Sequence, residues 1–205
     1  MKKLNNEKIY DISQELFGCV VFPGDPAPQK NTLASMSEGD PYNLTAFSMC
    51  AHNGTHVDAP CHFVNDGKKI DELMMSSTVG WAYVADFEGV VSAEDAERII
   101  TDARKLSADA AKRILLKGKT TVSLEAARVF AKQGILLLGN ESQTVGPEDA
   151  PMAVHLVLLG ADVVLLEGVR LSAVPEGVYW LSAAPLLLGG CEGSPCRALL
   201  VDFGA

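Results

Sequence analysis

The sequence predicts an α/β protein built on a mixed sheet. Three observations support this. Short apolar runs at 135–138 and 163–166 have the length and composition of buried strands. Two longer stretches, 93–105 and 123–133, read as helices that begin at a serine. Segments of the two kinds alternate along the chain.

Taken in order, residues 9–12 read as a short strand. The run Val20-Val21-Phe22-Pro23-Gly24-Asp25-Pro26 ends in a turn, because proline fixes φ and glycine permits unusual angles. Residues 44–51 read as a strand of mixed polarity, and 81–87 and 89–91 as further strands. In the helix at 93–105, Ser92 is the N-cap and Asp95 makes the first turn acidic. In the helix at 123–133, Ser123 is the cap, Leu124, Ala127, Val129, Phe130 and Ala131 form an apolar stripe, and Gly134 ends it. A third helix is expected at 151–159, with Pro151 in its first turn and Gly160 at its end. The buried strand at 163–166 runs into Glu167-Gly168, and 197–203 reads as a terminal strand.

The chain has 205 residues, which suits one domain spanning 1–205. A hydrophobic fraction of 48% and a charged fraction of 21% suit a globular protein with a substantial core. The net charge of -9 argues against nucleic acid as a partner, since no basic stripe is present to neutralise phosphates. The first seven residues carry two lysines with no apolar run behind them, so no export signal is expected. No apolar run reaches the roughly 18–20 residues of a membrane span. Five cysteines, an odd number, are expected as reduced thiols in a cytoplasm. Cys19, Cys50, Cys191 and Cys196 read as small buried side chains, while Cys61 could line a site.

All the chemistry concentrates in the histidines. There are four, and three of them lie in His52-Asn53-Gly54-Thr55-His56-Val57-Asp58-Ala59-Pro60-Cys61-His62. A helix is disfavoured there by Asn53, Gly54 and Pro60. In a strand, residues 52, 54, 56 and 58 share one face. That would place His52, His56 and Asp58 together, with Gly54 leaving room for a metal or substrate. Pro60 would then bend the chain and deliver His62 from another direction. Three imidazoles and a carboxylate are ligand types taken by zinc, manganese or iron. The remaining histidine, His155, stands in an apolar stretch, and Glu167 ends a buried strand. Each needs a polar partner, and a metal would satisfy both. Five ligands would allow one or two ions.

These residues resemble the His-x-Gly-Thr-His-x-Asp-x-Pro-x-His signature of the cyclase family of metal-dependent hydrolases, which includes kynurenine formamidases and isatin hydrolase. Phe22-Pro23-Gly24-Asp25, Val154-His155-Leu156, Leu166-Glu167-Gly168 and Gly193-Ser194-Pro195-Cys196-Arg197-Ala198 extend the likeness over most of the chain. The resemblance implies a β-barrel-like mixed sheet surrounded by helices. It implies a divalent metal, zinc first and manganese second, on His52, His56, Asp58, His155 and Glu167, with both carboxylates able to bridge two ions. His62 would be the catalytic acid/base and Phe22 would face the substrate ring. The substrate would be a small molecule with an amide C–N bond, as in arylformamidases of tryptophan catabolism, and the protein a homodimer or homotetramer with its site near the subunit interface. The segment Gly139-Asn140-Glu141-Ser142-Gln143-Thr144 departs from the formamidase pattern, and Glu141 and Gln143 would alter pocket polarity. Phe22 stands where formamidases carry tryptophan.

Other readings are weaker. Cys61 and His62, adjacent on an extended chain, would point apart and make a poor nucleophile–base pair. Gly189-Gly190 lacks the Lys-Ser/Thr of a phosphate loop. Glu192 and Arg197 read as a structural pair. A lactam hydrolase, or a cyclase or dehydratase, could use the same site. A metal-binding protein without catalysis would have no use for His62.

Overall fold

The computed structural model describes residues 8–204; the amino-terminal segment read above for an export signal, 1–7, lies outside them. The strands are β1 (Lys8–Asp11), β2 (Gln29–Ala34), β3 (Leu44–Ser48), β4 (His56–Asp58), β5 (Val79–Asp86), β6 (Gly89–Val91), β7 (Arg113–Lys117), β8 (Thr120–Val122), β9 (Leu137–Asn140), β10 (Val164–Glu167), β11 (Gly177–Ser182), β12 (Gly193–Pro195) and β13 (Leu199–Asp202). The helices are α1 (Met75–Thr78), α2 (Ala93–Leu106), α3 (Leu124–Lys132) and α4 (Met152–Gly160).

Nine strands form one curled mixed sheet in the order β1-β13-β11-β5-β7-β9-β10-β4-β12. Its middle is parallel, from β5 through β7 and β9 to β10, and its flanks are antiparallel. The middle strands carry apolar runs with polar residues at their ends, because both faces are covered. Ile114, Leu116, Leu138 and Leu165 pack on one face against Ile99 and Ile100 of α2, Phe130 of α3 and Val154 and Leu158 of α4. The alternate residues Leu115, Leu137, Val164 and Leu166 pack on the other face against Val57, Val169, Leu181 and Leu200. This period-2 division decides where the polar residues of the outer strands point.

The helices form where capping chemistry starts them. Ser92 accepts from the Asp95 N–H while the Asp95 carboxylate accepts from the Ser92 N–H, a reciprocal cap on α2. Ser123 accepts from the Ala126 N–H at 3.1 Å and starts α3. The helix at 151–159 runs from Met152 to Gly160, with Pro151 as its cap.

Several sequence expectations shift. The strand expected at 135–138 is Leu137–Asn140, since the chain enters the sheet two residues later. The strand expected through 51 ends at Ser48, where the chain turns toward the histidine segment. Strands β2, β7, β8, β11 and β12 were not legible. In β7, the flanking charges Arg113 and Lys117 mask a buried apolar run. Arg113 is itself buried, donating to Ser76 O and to Trp81 O. All five cysteines are free and partly exposed, rather than buried as expected for Cys19, Cys50, Cys191 and Cys196. No helix among the described residues is long and apolar enough to cross a membrane.

Phe130 has no exposed surface and fills the space between the helices and the sheet. Phe130→Ala is expected to cost about 3–5 kcal/mol. Urea unfolding would read this as a lower midpoint at unchanged slope.

Candidate metal centre

Strand β4 lies between β10 and β12, and its register builds the centre of the site. His56 is opposite Glu167 on one side and Pro195 on the other; Asp58 is opposite Leu165 and Gly193. Val57, between them, joins the core on the far face. His56, Asp58 and Glu167 therefore share the face that carries α4, and α4 brings His155 toward them. His56 Nε2 is 3.4 Å from Asp58 Oδ1 and 3.5 Å from Glu167 Oε2. His155 Nε2 is 3.3 Å from Glu167 Oε1 and 3.8 Å from Asp58 Oδ2. All four side chains are almost wholly buried.

His52 arrives differently from the expectation. The segment 52–58 is a strand only over His56–Asp58, and His52 lies in the preceding loop. Gly54 has φ of +67°, a left-handed turn that a side chain would strain. Asn53 Oδ1 accepts the Cys50 N–H at 2.8 Å and closes the same loop. His52 still converges, with Nδ1 2.8 Å from Asp58 Oδ1. Its ring packs so closely on Gly193 that a Cβ there would lie 2.5 Å from His52 Cε1.

Backbone carbonyls orient two of the rings. A carbonyl can only accept, so the His56 Nδ1–H donates to Gly54 O at 3.0 Å and the His155 Nδ1–H donates to Pro151 O at 2.9 Å. Each ring then presents Nε2 to the carboxylates. Glu167 Oε1 accepts the Val145 N–H at 2.8 Å. Thr55, on the opposite face of the loop, accepts the Gln14 N–H at 2.9 Å and donates to Gly168 O at 2.8 Å, which ties the histidine segment to the turn after Glu167.

Pro60 starts a single 3-10 turn over Pro60–His62. It delivers His62 beside the cluster, stacked on His52 with ring centroids 4.1 Å apart. The cavity in front measures about 220 Å³ and is walled by Phe22, Asp25, Phe63, Gln143, Thr144 and Pro151 around the histidines and Glu167.

The donor set fits a cation. His52 Nε2 and Asp58 Oδ2 are buried without a hydrogen-bond partner. Two ligand groups, His52-His56-Asp58 and Asp58-His155-Glu167, each keep their donor atoms within 4.8 Å of one another and share Asp58. One ion or a pair could be held, with Asp58 common to both.

A family model described as "Putative cyclase" matches residues 10–147. The chain belongs to the cyclase family. This cyclase-family protein is 31% identical to the kynurenine formamidase of Erythrobacter litoralis, over 97% of this chain and 96% of that one. It is 32% identical to the kynurenine formamidase of Bacillus anthracis, over 96% and 99%. Among solved structures, a "predicted metal-dependent hydrolase" from Bacillus stearothermophilus superposes with a TM-score of 0.79 at 28% identity, covering 96% and 99%. Isatin hydrolase A from Labrenzia aggregata shares the fold, with a TM-score of 0.78 at 22% identity over 95% and 93%. The chain is an enzyme of the amidohydrolase type in that family.

The structure brings together His52, His56, Asp58, His62, His155, Glu167 and Phe22. Cys61 does not line the cavity, because its thiol turns to Cys191 O at 3.8 Å. Gln143 does line it; Glu141 does not, since its carboxylate holds the Gly118 and Leu171 N–H groups at 2.8 Å each. Glu192 and Arg197 do not pair: Glu192 lies 3.4 Å from His52 Nε2 and Arg197 pairs with Asp11. Asp25, Phe63, Thr144 and Pro151 were missed as cavity residues. Asp25 was within reach, as it sits three positions beyond Phe22 in the same turn.

Burial alone would lower the pKa of each cluster histidine. Hydrogen bonds and charges from Asp58 and Glu167 outweigh it, raising His56 to about 10. Glu167 and Asp58 likewise raise His155 to about 9 against its burial. Burial would raise Asp58, but the bonds from His52 and His56 hold it well below 3.8. His62 moves the other way, lowered chiefly by burial, which favours its neutral form.

These shifts set the pH profile of metal-stripped protein. The folded pKa values of His56 and His155 lie above the ordinary 6.5, so their contribution is full below that pH and is lost on rising through about 9 and 10. The Asp58 contribution is full above 3.8 and is lost in acid. Thermal melts of chelator-treated protein are expected to show a Tm that falls between pH 7 and 10; a flat profile there would contradict the pairing.

Proposed function

We propose that the protein hydrolyses the C–N bond of an N-formylated aromatic amine held in the cavity, with N-formylkynurenine as the first substrate to test. One observation carries the reading. A buried cluster of three imidazoles and two carboxylates, with two donor atoms unpartnered, opens onto a cavity walled by Phe22 and Phe63. The kynurenine formamidases among the relatives support that substrate class.

His52, His56, Asp58, His155 and Glu167 would hold one or two divalent ions, with zinc first and manganese second from the donor types. When bound, the ion supplies a Lewis acid that polarises a carbonyl oxygen and acidifies water. Phe22 and Phe63 would sandwich the aryl ring and exclude solvent. His62 is the acid/base. An imidazole nitrogen takes a proton from the attacking water as the new C–O bond forms. It returns that proton to the aniline nitrogen as the C–N bond breaks, giving formate and the free arylamine. Burial that keeps His62 neutral suits the first half of this cycle.

We also propose a homodimer through the β2–β3 arm. Among the described residues these two strands pair only with each other, and Leu33, Met36, Tyr42, Leu44 and Phe47 stand exposed on the arm. Phe47 meets Phe17 edge-to-face at 6.2 Å and continues the patch. Such a patch on one element is the mark of an association surface.

Metal-loaded enzyme is expected to release kynurenine from N-formylkynurenine within the common range of about 1–1000 per second. Absence of turnover with full metal occupancy would retire that substrate in favour of a cyclic lactam on the same site. His62→Ala is expected to lose about 100-fold or more in kcat while keeping its metal. Asp58→Asn and Glu167→Gln are expected to lose metal, measured by elemental analysis after dialysis. In solution, Phe47→Asp is expected to shift the mass by light scattering from dimer to monomer.

A further inference from the structure

The cavity in front of the histidines has one charged group besides the cluster itself, the carboxylate of Asp25. The turn Phe22-Pro23-Gly24-Asp25 holds it there, with the Asp25 N–H donating to Phe22 O at 3.0 Å. That bond places the aromatic face of Phe22 and the carboxylate of Asp25 on one rigid unit. Among the described residues, the only side chain bonded to this carboxylate is Cys50, a weak thiol donor 3.8 Å from Oδ2. A half-buried carboxylate beside a substrate cavity, in no salt bridge among the described residues, has unused acceptor capacity.

The charge on the rest of the wall is one-sided. Among the described residues, no lysine or arginine lines this cavity. None lines the adjoining one either, which lies beyond Phe22, Gln143 and Thr144 and carries Glu141 and Glu148. A substrate substituent pointing away from the scissile bond and the metal-ligand cluster therefore meets acceptors, and an anionic one meets no lysine or arginine among the described residues.

We propose that Asp25 is a specificity-determining residue that binds an ammonium group on the substrate's side chain, and that the enzyme selects N-formyl arylamines bearing a cationic amine over those bearing a carboxylate. This rests on the formamide reading above and names the part of the substrate the protein recognises. Aryl stacking on Phe22 sets the distance from ring to ammonium, because Asp25 sits on the same turn. A carboxylate on the same side chain contributes nothing to binding on these walls and is repelled by them.

Four substrates separate the possibilities: formanilide, which has no side chain; N-formylkynurenine; its decarboxylated amine; and its deaminated acid. Each is assayed with the metal-loaded wild type and with Asp25→Asn, which keeps the size and turn geometry. In the wild type, kcat/KM for the decarboxylated amine is expected to exceed that for the deaminated acid by about tenfold or more, the scale of one charge-assisted hydrogen bond. In Asp25→Asn, that ratio is expected to collapse toward one, with the loss in KM rather than kcat. Equal wild-type rates on the amine and the acid, or an unchanged ratio in Asp25→Asn, would overturn the assignment. If no formamide, formanilide included, is hydrolysed by the wild type, the formamidase reading fails first.

Discussion

The mutual neutralisation of buried imidazoles and carboxylates is the constraint on which the rest depends. His56, Asp58, His155 and Glu167 have lost nearly all contact with water. An ionised carboxylate alone in such a place would be strongly unfavourable. Each is therefore set against a ring nitrogen, and that pairing holds only if two strands, β4 and β10, and one helix, α4, meet in a single register. The register is enforced from the opposite face. Val57 and Leu166, paired across the ladder, are both packed in the far core. A slip of one residue would turn them toward the cluster and the ligand-type residues into the core. Hydrophobic packing on one side of the sheet thus guards the polar geometry on the other.

Around that centre, the neighbouring backbone removes conformational choice. Gly54 O and Pro151 O each hold an Nδ1–H, so two rings have one tautomer and one orientation. The Val145 N–H steadies Glu167, and Gly193 leaves the room that His52 occupies. These supports come from three separate stretches of chain. The walls of the cavity differ in kind. Phe22 and Asp25 ride on a turn, and Gln143 and Thr144 on the loop before α4. Such elements can change the substrate without disturbing the cluster beneath them.

Much of this was legible in the chain, unevenly. The spacing of His56 and Asp58 on a strand read correctly, because period-2 alternation is a local property. His52 was placed on the same strand by parity, yet it reaches the cluster from a left-handed loop at Gly54. Asn53 and Gly54 carried that turn signal, but alternate spacing from His52 to Asp58 suited a strand equally well. Cys61 looked like a cavity residue from its place beside His62, and a single 3-10 turn sends the two apart. Glu141 looked like a pocket acid and is instead a backbone anchor for residues far from it in sequence. Strand β7 was hidden because its end charges are visible in sequence while their long-range partners are not; Arg113 is held by Ser76 and Trp81.

The sequence by itself determined the α/β class, the capped helices α2 and α3, the buried middle strands and the identity of the residues that form the cluster. All of these follow from local rules of periodicity, capping and ligand chemistry. Only the tertiary structure decided the strand order, the pairing of His56 with Glu167 across the sheet, and the meeting of His155 with Glu167 and Asp58. It also placed Asp25 beside Phe22 on the cavity wall and left the β2–β3 arm exposed. The strand order and the cluster pairings are contacts between residues distant in the chain. They are set by which apolar faces bury one another, and no local pattern encodes that choice.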